Sequence, residues 1–171
     1  PELGINSVRV SDGPHGVRKL KNSCEMTVDN KKGTEIATCF PTSSSLAQTF
    51  NKELAYRVGE GIAKECVNLD VDVILGPGLN IKRNPLCGRN FEYFSEDPYV
   101  SGVMATNYVK GVQSLGVGAC VKHFACNNQE TARFINNSIV DERTLREIYL
   151  AGFEMVVKEA KPYTLMSSYN K

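Results

Sequence analysis

Gly116-Val117-Gly118-Ala119-Cys120-Val121-Lys122-His123-Phe124-Ala125-Cys126-Asn127-Asn128-Gln129-Glu130 passes within a few positions from small apolar residues to a cation, an imidazole and three amides. Its first part is short, apolar and bounded by glycine, the pattern of a strand buried on both faces in a parallel sheet. The polar residues then fall at the C-terminal end of that strand. A lysine is costly to bury without a partner, so Lys122 beside His123 marks this end as a candidate site. An ion pair that merely closes the strand end is the plain alternative, since structural charge networks occupy such ends too.

Three further segments repeat the pattern. Ser7 to Val10 reads as a short strand running into the turn Ser11-Asp12-Gly13-Pro14-His15-Gly16-Val17-Arg18, and Val71 to Leu75 as a strand ending in Gly76-Pro77-Gly78-Leu79-Asn80. Thr164 to Ser168 is the last strand, followed by Tyr169 and Asn170. Residues 19 to 45 are mostly polar and loop-like. Ser43 to Ser45 offer a cap to a helix whose apolar positions Leu46, Ala47, Phe50, Leu54, Val58, Ile62 and Cys66 should face inward. A second helix fits residues 99 to 115. After a polar loop to Val140, Asp141 caps a third, with Leu145, Ile148, Tyr149, Gly152, Phe153, Val156 and Val157 on one stripe.

The order βαβαβαβ predicts an α/β fold of parallel strands joined by right-handed crossovers and covered by helices. Asp12, Asn80, Lys122 with His123, and Tyr169 with Asn170 all follow the C-terminal strand ends, and nothing comparable sits at the other ends. That one-sidedness is the rule of the (β/α)8, or TIM-type, barrel, of which about four βα units make the first half. A doubly wound sheet would hold its ligand at the same ends, but through a glycine-rich phosphate turn. Gly76-x-Gly78 and Gly116-x-Gly118 lack the third glycine and the helix start, and Gly59-x-Gly61 lies inside a helix, so nucleotide binding is not expected.

At 171 residues, 42% hydrophobic and 23% charged, the composition is that of one ordinary globular domain. A net charge of +1 gives no field suited to nucleic acid, and no apolar run is long enough for a membrane span, so small neutral ligands are the expected partners. Pro1 to Asn6 show neither a basic flank nor a hydrophobic signal core, which points to a cytoplasmic location. The cysteines at 24, 39, 66, 87, 120 and 126 form no C-x-x-C pair, so no disulfide framework is expected. With His15 and His123 the only histidines, neither a metal nor another cofactor is implied. Asn136-Asn137-Ser138 fits a glycosylation pattern that is common by chance.

Asp12, Arg18, Arg89, Lys122, His123 and Arg133 bring one carboxylate, four cations and an imidazole to loops of the same barrel face. Such groups suit a hydroxyl-rich ligand, because charged partners make the stronger hydrogen bonds to hydroxyls. Arg83, Arg143 and Arg146 read instead as solvated or helix-bound. Four motifs stand in order along the chain: Ser11 to Arg18; Gly76 to Ile81 running on through Gly88-Arg89-Asn90-Phe91-Glu92-Tyr93-Phe94-Ser95-Glu96-Asp97-Pro98; Val121 to Glu130; and Met166-Ser167-Ser168-Tyr169-Asn170. Together they resemble the N-terminal barrel domain of glycoside hydrolase family 3, in its β-glucosidase branch. The resemblance covers nearly the whole chain.

The resemblance implies that Asp12 holds hydroxyls at the non-reducing end of a glucosyl unit, with Arg18, Arg89, Lys122, His123, Arg133 and Met166 around the ring and Tyr169 near the scissile centre. It implies hydrolysis of terminal β-D-glucosyl residues from a β-glucoside or short β-gluco-oligosaccharide, with retention. Asp at position 12 is similar to glucosidases, where xylosidase relatives carry a Glu, and Ala125 to Glu130 lack the second histidine of the N-acetylglucosaminidase branch. A retaining glycosidase needs two carboxyls about 5–5.5 Å apart. The family pattern puts the nucleophilic Asp and the acid/base beyond Lys171, so no catalytic residue is expected in residues 1–171, which by themselves should be inactive. Glu92, Glu96, Asp97 and Glu130 are catalytic candidates only by default, the first three reading as a brace for Arg89. Residues 1–171 therefore read as a partial barrel domain whose open edges would meet the missing half-barrel or a second copy. A non-hydrolytic sugar-binding module is one alternative function. A Schiff-base aldolase or lyase using Lys122 is another.

Overall fold

The computed structural model describes residues 3–4, 6–21 and 33–171. Cys24 and the middle of the expected 19–45 loop lie outside them. Strand β1 spans Val10–Asp12, β2 Val73–Leu75, β3 Gly118–Phe124 and β4 Thr164–Ser167, all parallel and in the order β1-β2-β3-β4. A doubly wound sheet reverses its strand order at a switch point. A strictly sequential order, with a helix after each of the first three strands, is instead an arc of a barrel.

The helices are α1 (Ser43–Ala47), α2 (Lys52–Asn68), α3 (Pro98–Gln113), α4 (Glu142–Thr144) and α5 (Ala151–Ala160). Helix α2 packs on α3, and α3 on α5. Ile74, Ala119 and Val121 from the strands meet Ile62, Met104, Val109 and Val156 from the helices in one fully buried core. Strand β3 is buried along all but its last residue, as its apolar run predicts.

Several elements differ from the sequence reading. Strand β1 starts three residues later than expected, because the register pairs Val10 with Val73, while the Asp72 carboxylate and amide take the Arg9 amide and carbonyl. The single helix expected from Leu46 to Cys66 is two. The Thr49 hydroxyl donates to the Leu46 carbonyl at 2.7 Å, Phe50 adopts φ +50°, and Asn51 caps a new helix by accepting from the Leu54 amide. Phe50 therefore points into solvent, 77% exposed, rather than into the core. Thr42, not the serine run, caps α1. In the third expected helix Asp141 is the cap, but a π turn at Leu145–Tyr149 joins α4 to α5. Its extra residue rotates Ile148 off the buried stripe and packs Tyr149 against Ile81 and Cys126. Val157 stays half-exposed beside the edge strand β4.

Candidate functional site

The site is built at the C-terminal strand ends. Lys122, on β3, has a side chain only 2% exposed, and its Nζ lies 3.4 Å from Glu92 Oε2 and 3.6 Å from Asp12 Oδ1. A buried ammonium needs such partners, and removing one partner of a buried pair costs roughly 3–5 kcal/mol. Glu92 comes from the 3-10 turn Asn90–Glu92 and is buried as deeply. Its other oxygen accepts from Arg89 Nε. Burial alone would lower the Arg89 pKa, but the Glu92 carboxylate, with Tyr93 and Glu130, raises it above the ordinary value.

Asp12 is mostly exposed and sits at the mouth of a cleft of about 370 Å³ shared by His15, Arg18, Arg89, Glu92 and Lys122. Arg18 is carried there by the turn after β1, where its amide donates to the Asp12 carbonyl at 2.8 Å. His15 Nε2 is buried without a partner among the described residues, and burial lowers its pKa below the ordinary histidine value. A larger groove, between Arg9, Leu20 and Asp70, shares Asp12 and Arg18 with this cleft but is not lined by Arg89, Glu92 or Lys122.

His123 lies buried behind Lys122. Its amide donates to Asn80 Oδ1 at 2.8 Å while Asn80 Nδ2 donates to its carbonyl at 2.9 Å, so one side chain at the β2 exit replaces a rung of sheet bonding. Its Nδ1 lies 3.0 Å from the Tyr93 hydroxyl. Burial, then the charges of Arg89, Lys122 and Arg133, lower its pKa to about 3, so the imidazole is neutral at physiological pH. Arg133 donates to Glu130 Oε2 at 2.9 Å and stacks 5.0 Å from the Tyr169 ring, with Phe134 against both. Glu130 Oε1, 3.9 Å from Arg89, links this rim to the cleft. Met166 pairs in register with Lys122, so its side chain shares the face of the sheet that carries Lys122.

Asp12, Arg18, Arg89 and Lys122 thus share one cleft, His123 and Met166 flank it, and Arg133 with Tyr169 forms its rim. Arg83 donates to the Tyr149 hydroxyl, while Arg143 and Arg146 make i,i+4 pairs with Glu147 and Glu142. Of the three expected braces for Arg89, only Glu92 acts so. Asp97 caps α3 by accepting from the Val100 amide, and Glu96 is exposed. The bond of Glu92 to Lys122, and the parts of Tyr93 and Asn127, were missed. The i,i+3 spacing of Asn127 to Glu130 is the one signal that could have revealed Asn127, and nothing local points to Tyr93. The described cysteines are free thiols, and burial pushes that of Cys66 up to about 12. No group of His, Cys, Asp and Glu among the described residues is arranged to hold a metal.

The pattern of the glycosyl hydrolase family 3 N terminal domain matches residues 15–171. Over 169 residues, 99% of this chain and 22% of the relative, the sequence is 56% identical to the thermostable beta-glucosidase B of Acetivibrio thermocellus. It is 52% identical to an exo-alpha-(1->6)-L-arabinopyranosidase of Bifidobacterium longum, over 98% of this chain and 22% of that one. The structure of beta-glucosidase 3B from Thermotoga neapolitana in complex with glucose superimposes with a TM-score of 0.89 at 53% identity, over 100% of this chain and 23% of that chain. The beta-glucosidase from Kluyveromyces marxianus in complex with glucose gives 0.91 at 48%, over 99% and 19%. The chain spans about a fifth of the length of these relatives. A sequential parallel arc with its charged residues at the C-terminal strand ends, and this likeness along its whole length, place the chain in glycosyl hydrolase family 3, as a member of its N-terminal domain.

Proposed function

We propose that this chain supplies the sugar-gripping half of a β-glucosidase active site. Asp12, Arg18, Arg89, Lys122 and His123 bind the hydroxyls of a terminal β-D-glucosyl unit, Arg133 and Met166 complete the pocket wall, and Tyr169 flanks the bond to be cleaved. The observation that carries this reading is the Lys122 ammonium, buried between Glu92 below and the open Asp12 carboxylate above. Glu92 orients the cation, and the exposed Asp12 and the outer N–H groups of Lys122 and Arg89 are left for vicinal hydroxyls. Relatives solved with glucose support a glucoside.

The nucleophile and the acid/base belong, on this reading, to residues outside these 171, because Glu92 and Glu130 are each engaged by two cations and Asp12 by Lys122. The same pairing speaks against a Schiff-base role, which needs a free amine rather than an ammonium held by two carboxylates. Asp12→Ala in the full-length enzyme is expected to reduce kcat/KM for an aryl β-glucoside by about 2–4 kcal/mol of transition-state stabilisation, mainly in kcat, since hydroxyl contacts tighten as the ring flattens. A loss below about threefold, under 1 kcal/mol, would place the sugar pocket elsewhere.

A further inference from the structure

His123 is neutral, and a neutral imidazole has two forms: Nδ1–H or Nε2–H, one nitrogen donating and the other accepting. Which form is present decides what His123 offers a ligand. The ring is buried, and among the described residues its Nδ1 meets only the Tyr93 hydroxyl, at 3.0 Å. That hydroxyl in turn meets Asn127 Nδ2 at 2.9 Å, and Asn127 Nδ2 also lies 3.0 Å from Glu130 Oε1. Arg133 and Arg89 flank the Glu130 carboxylate.

The directions in this series follow from its last member. A carboxylate held by guanidinium groups accepts only, so the Asn127 side chain must turn its NH2 toward Glu130 and not its carbonyl oxygen. The second proton of the same NH2 then points at the Tyr93 oxygen. With Tyr93 accepting there, His123 Nδ1 is the one acceptor that its O–H meets among the described residues, so the buried hydroxyl donates to Nδ1, which accepts. We propose that Glu130, Asn127 and Tyr93 form a one-way hydrogen-bond chain that holds His123 in the Nε2–H form, making it a hydrogen-bond donor to a sugar oxygen. Glu130, Asn127 and Tyr93 are positioning residues, acting on the substrate only through His123. A hydroxyl that accepts from Nε2–H keeps its own proton for a carboxylate, so the chain also sets the polarity of that hydroxyl. The role toward sugar rests on the β-glucoside reading; the tautomer itself does not.

The test therefore needs no substrate. In the intact protein labelled with 15N-histidine, the His123 resonances, assigned by their loss in His123→Gln, are expected to show a protonated Nε2 and an unprotonated Nδ1. A protonated Nδ1 in the wild type overturns the proposal, whatever the enzyme hydrolyses. Asn127→Asp replaces the donor by an acceptor of the same shape, so the Tyr93 proton should turn toward Asp and Nδ1 should become protonated. A folded Asn127→Asp variant, judged by an unchanged backbone spectrum, that keeps Nε2–H would show that the chain does not set the tautomer. If this variant fails to fold, Tyr93→Phe, which should mix the two forms, decides the same point. Glu130→Gln, whose carbonyl can still accept from Asn127, is expected to retain Nε2–H. An intact enzyme that showed this tautomer yet no turnover of aryl β-glucosides would sink the functional reading alone.

Discussion

A histidine hemmed in by Arg89, Lys122 and Arg133 resists taking up a proton. Its pKa stands at about 3 in the fold against 6.5 for the free side chain. Above pH 6.5 it is neutral in both the folded and the unfolded chain and lends no pH dependence. As pH falls from 6.5 toward 3 the unfolded chain binds a proton that the fold refuses, so stability falls, with a slope approaching about 1.4 kcal/mol per pH unit. His15 is lowered in the same direction and adds to the same slope. Urea unfolding at a series of pH values from about 7 to about 4 should give a shallower decline for His123→Gln than for the wild type; parallel declines would show that His123 gains its proton without penalty. At this scale the sequence was legible where chemistry is local. Asp12, Lys122 and Arg89 stand out by charge at strand ends, and Glu92 lies one helical turn from Arg89. Tyr93 and Asn127 bear no charge and are 34 positions apart, and only the closed fold makes them neighbours.

Among the elements, α2 and α3 cross closely because each offers the other a glycine. A Cβ on Gly111 would stand 2.0 Å from the Tyr56 carbonyl oxygen, and one on Gly59 2.3 Å from that of Tyr108. Both obstacles are backbone, so neither can swing aside. Gly111→Ala gains about 1 kcal/mol of helix propensity but overpacks a rigid contact at a cost of about 1–3 kcal/mol or more. Net destabilisation is expected, read as a lower urea midpoint, and an unchanged midpoint would mean that the helices can part without loss. Nothing in the sequence marks these glycines as a crossing point, and Gly59 reads only as lying inside a helix. The alternation of strands and helices was plain because apolar periodicity is repeated over many residues. The helix ends were not, since Thr49, Asn51 and Asp72 compete for backbone bonds through side chains whose partners depend on where the neighbouring element stops. The π turn follows no pattern visible in Leu145 to Tyr149.

Across the whole molecule, β4 pairs with a strand on one side only among the described residues, as does β1 apart from the bridge of Arg18 to Asp12, and a groove of Phe124, Leu150, Phe153, Val157 and Leu165 flanks β4. Unpaired strand edges with apolar surface beside them invite association. The 171 residues produced by themselves are expected to self-associate at micromolar concentration, and Leu165→Lys to reduce it. Sedimentation velocity checks this, and a monomer at all concentrations would show that the edge is protected in a way the sheet does not reveal. The two-way bond between Asn80 and the His123 backbone bears on engineering. Only a side chain that both donates and accepts, at this length, can stand in for a peptide group; aspartate could not give the proton and leucine could do neither. A designer who grafts the loop from Lys122 to Glu130 onto another barrel must therefore carry Asn80 with it from a different strand. Without it the graft would bury an unmatched N–H and C=O, at about 1–3 kcal/mol each, and would misplace the imidazole that the graft was meant to deliver.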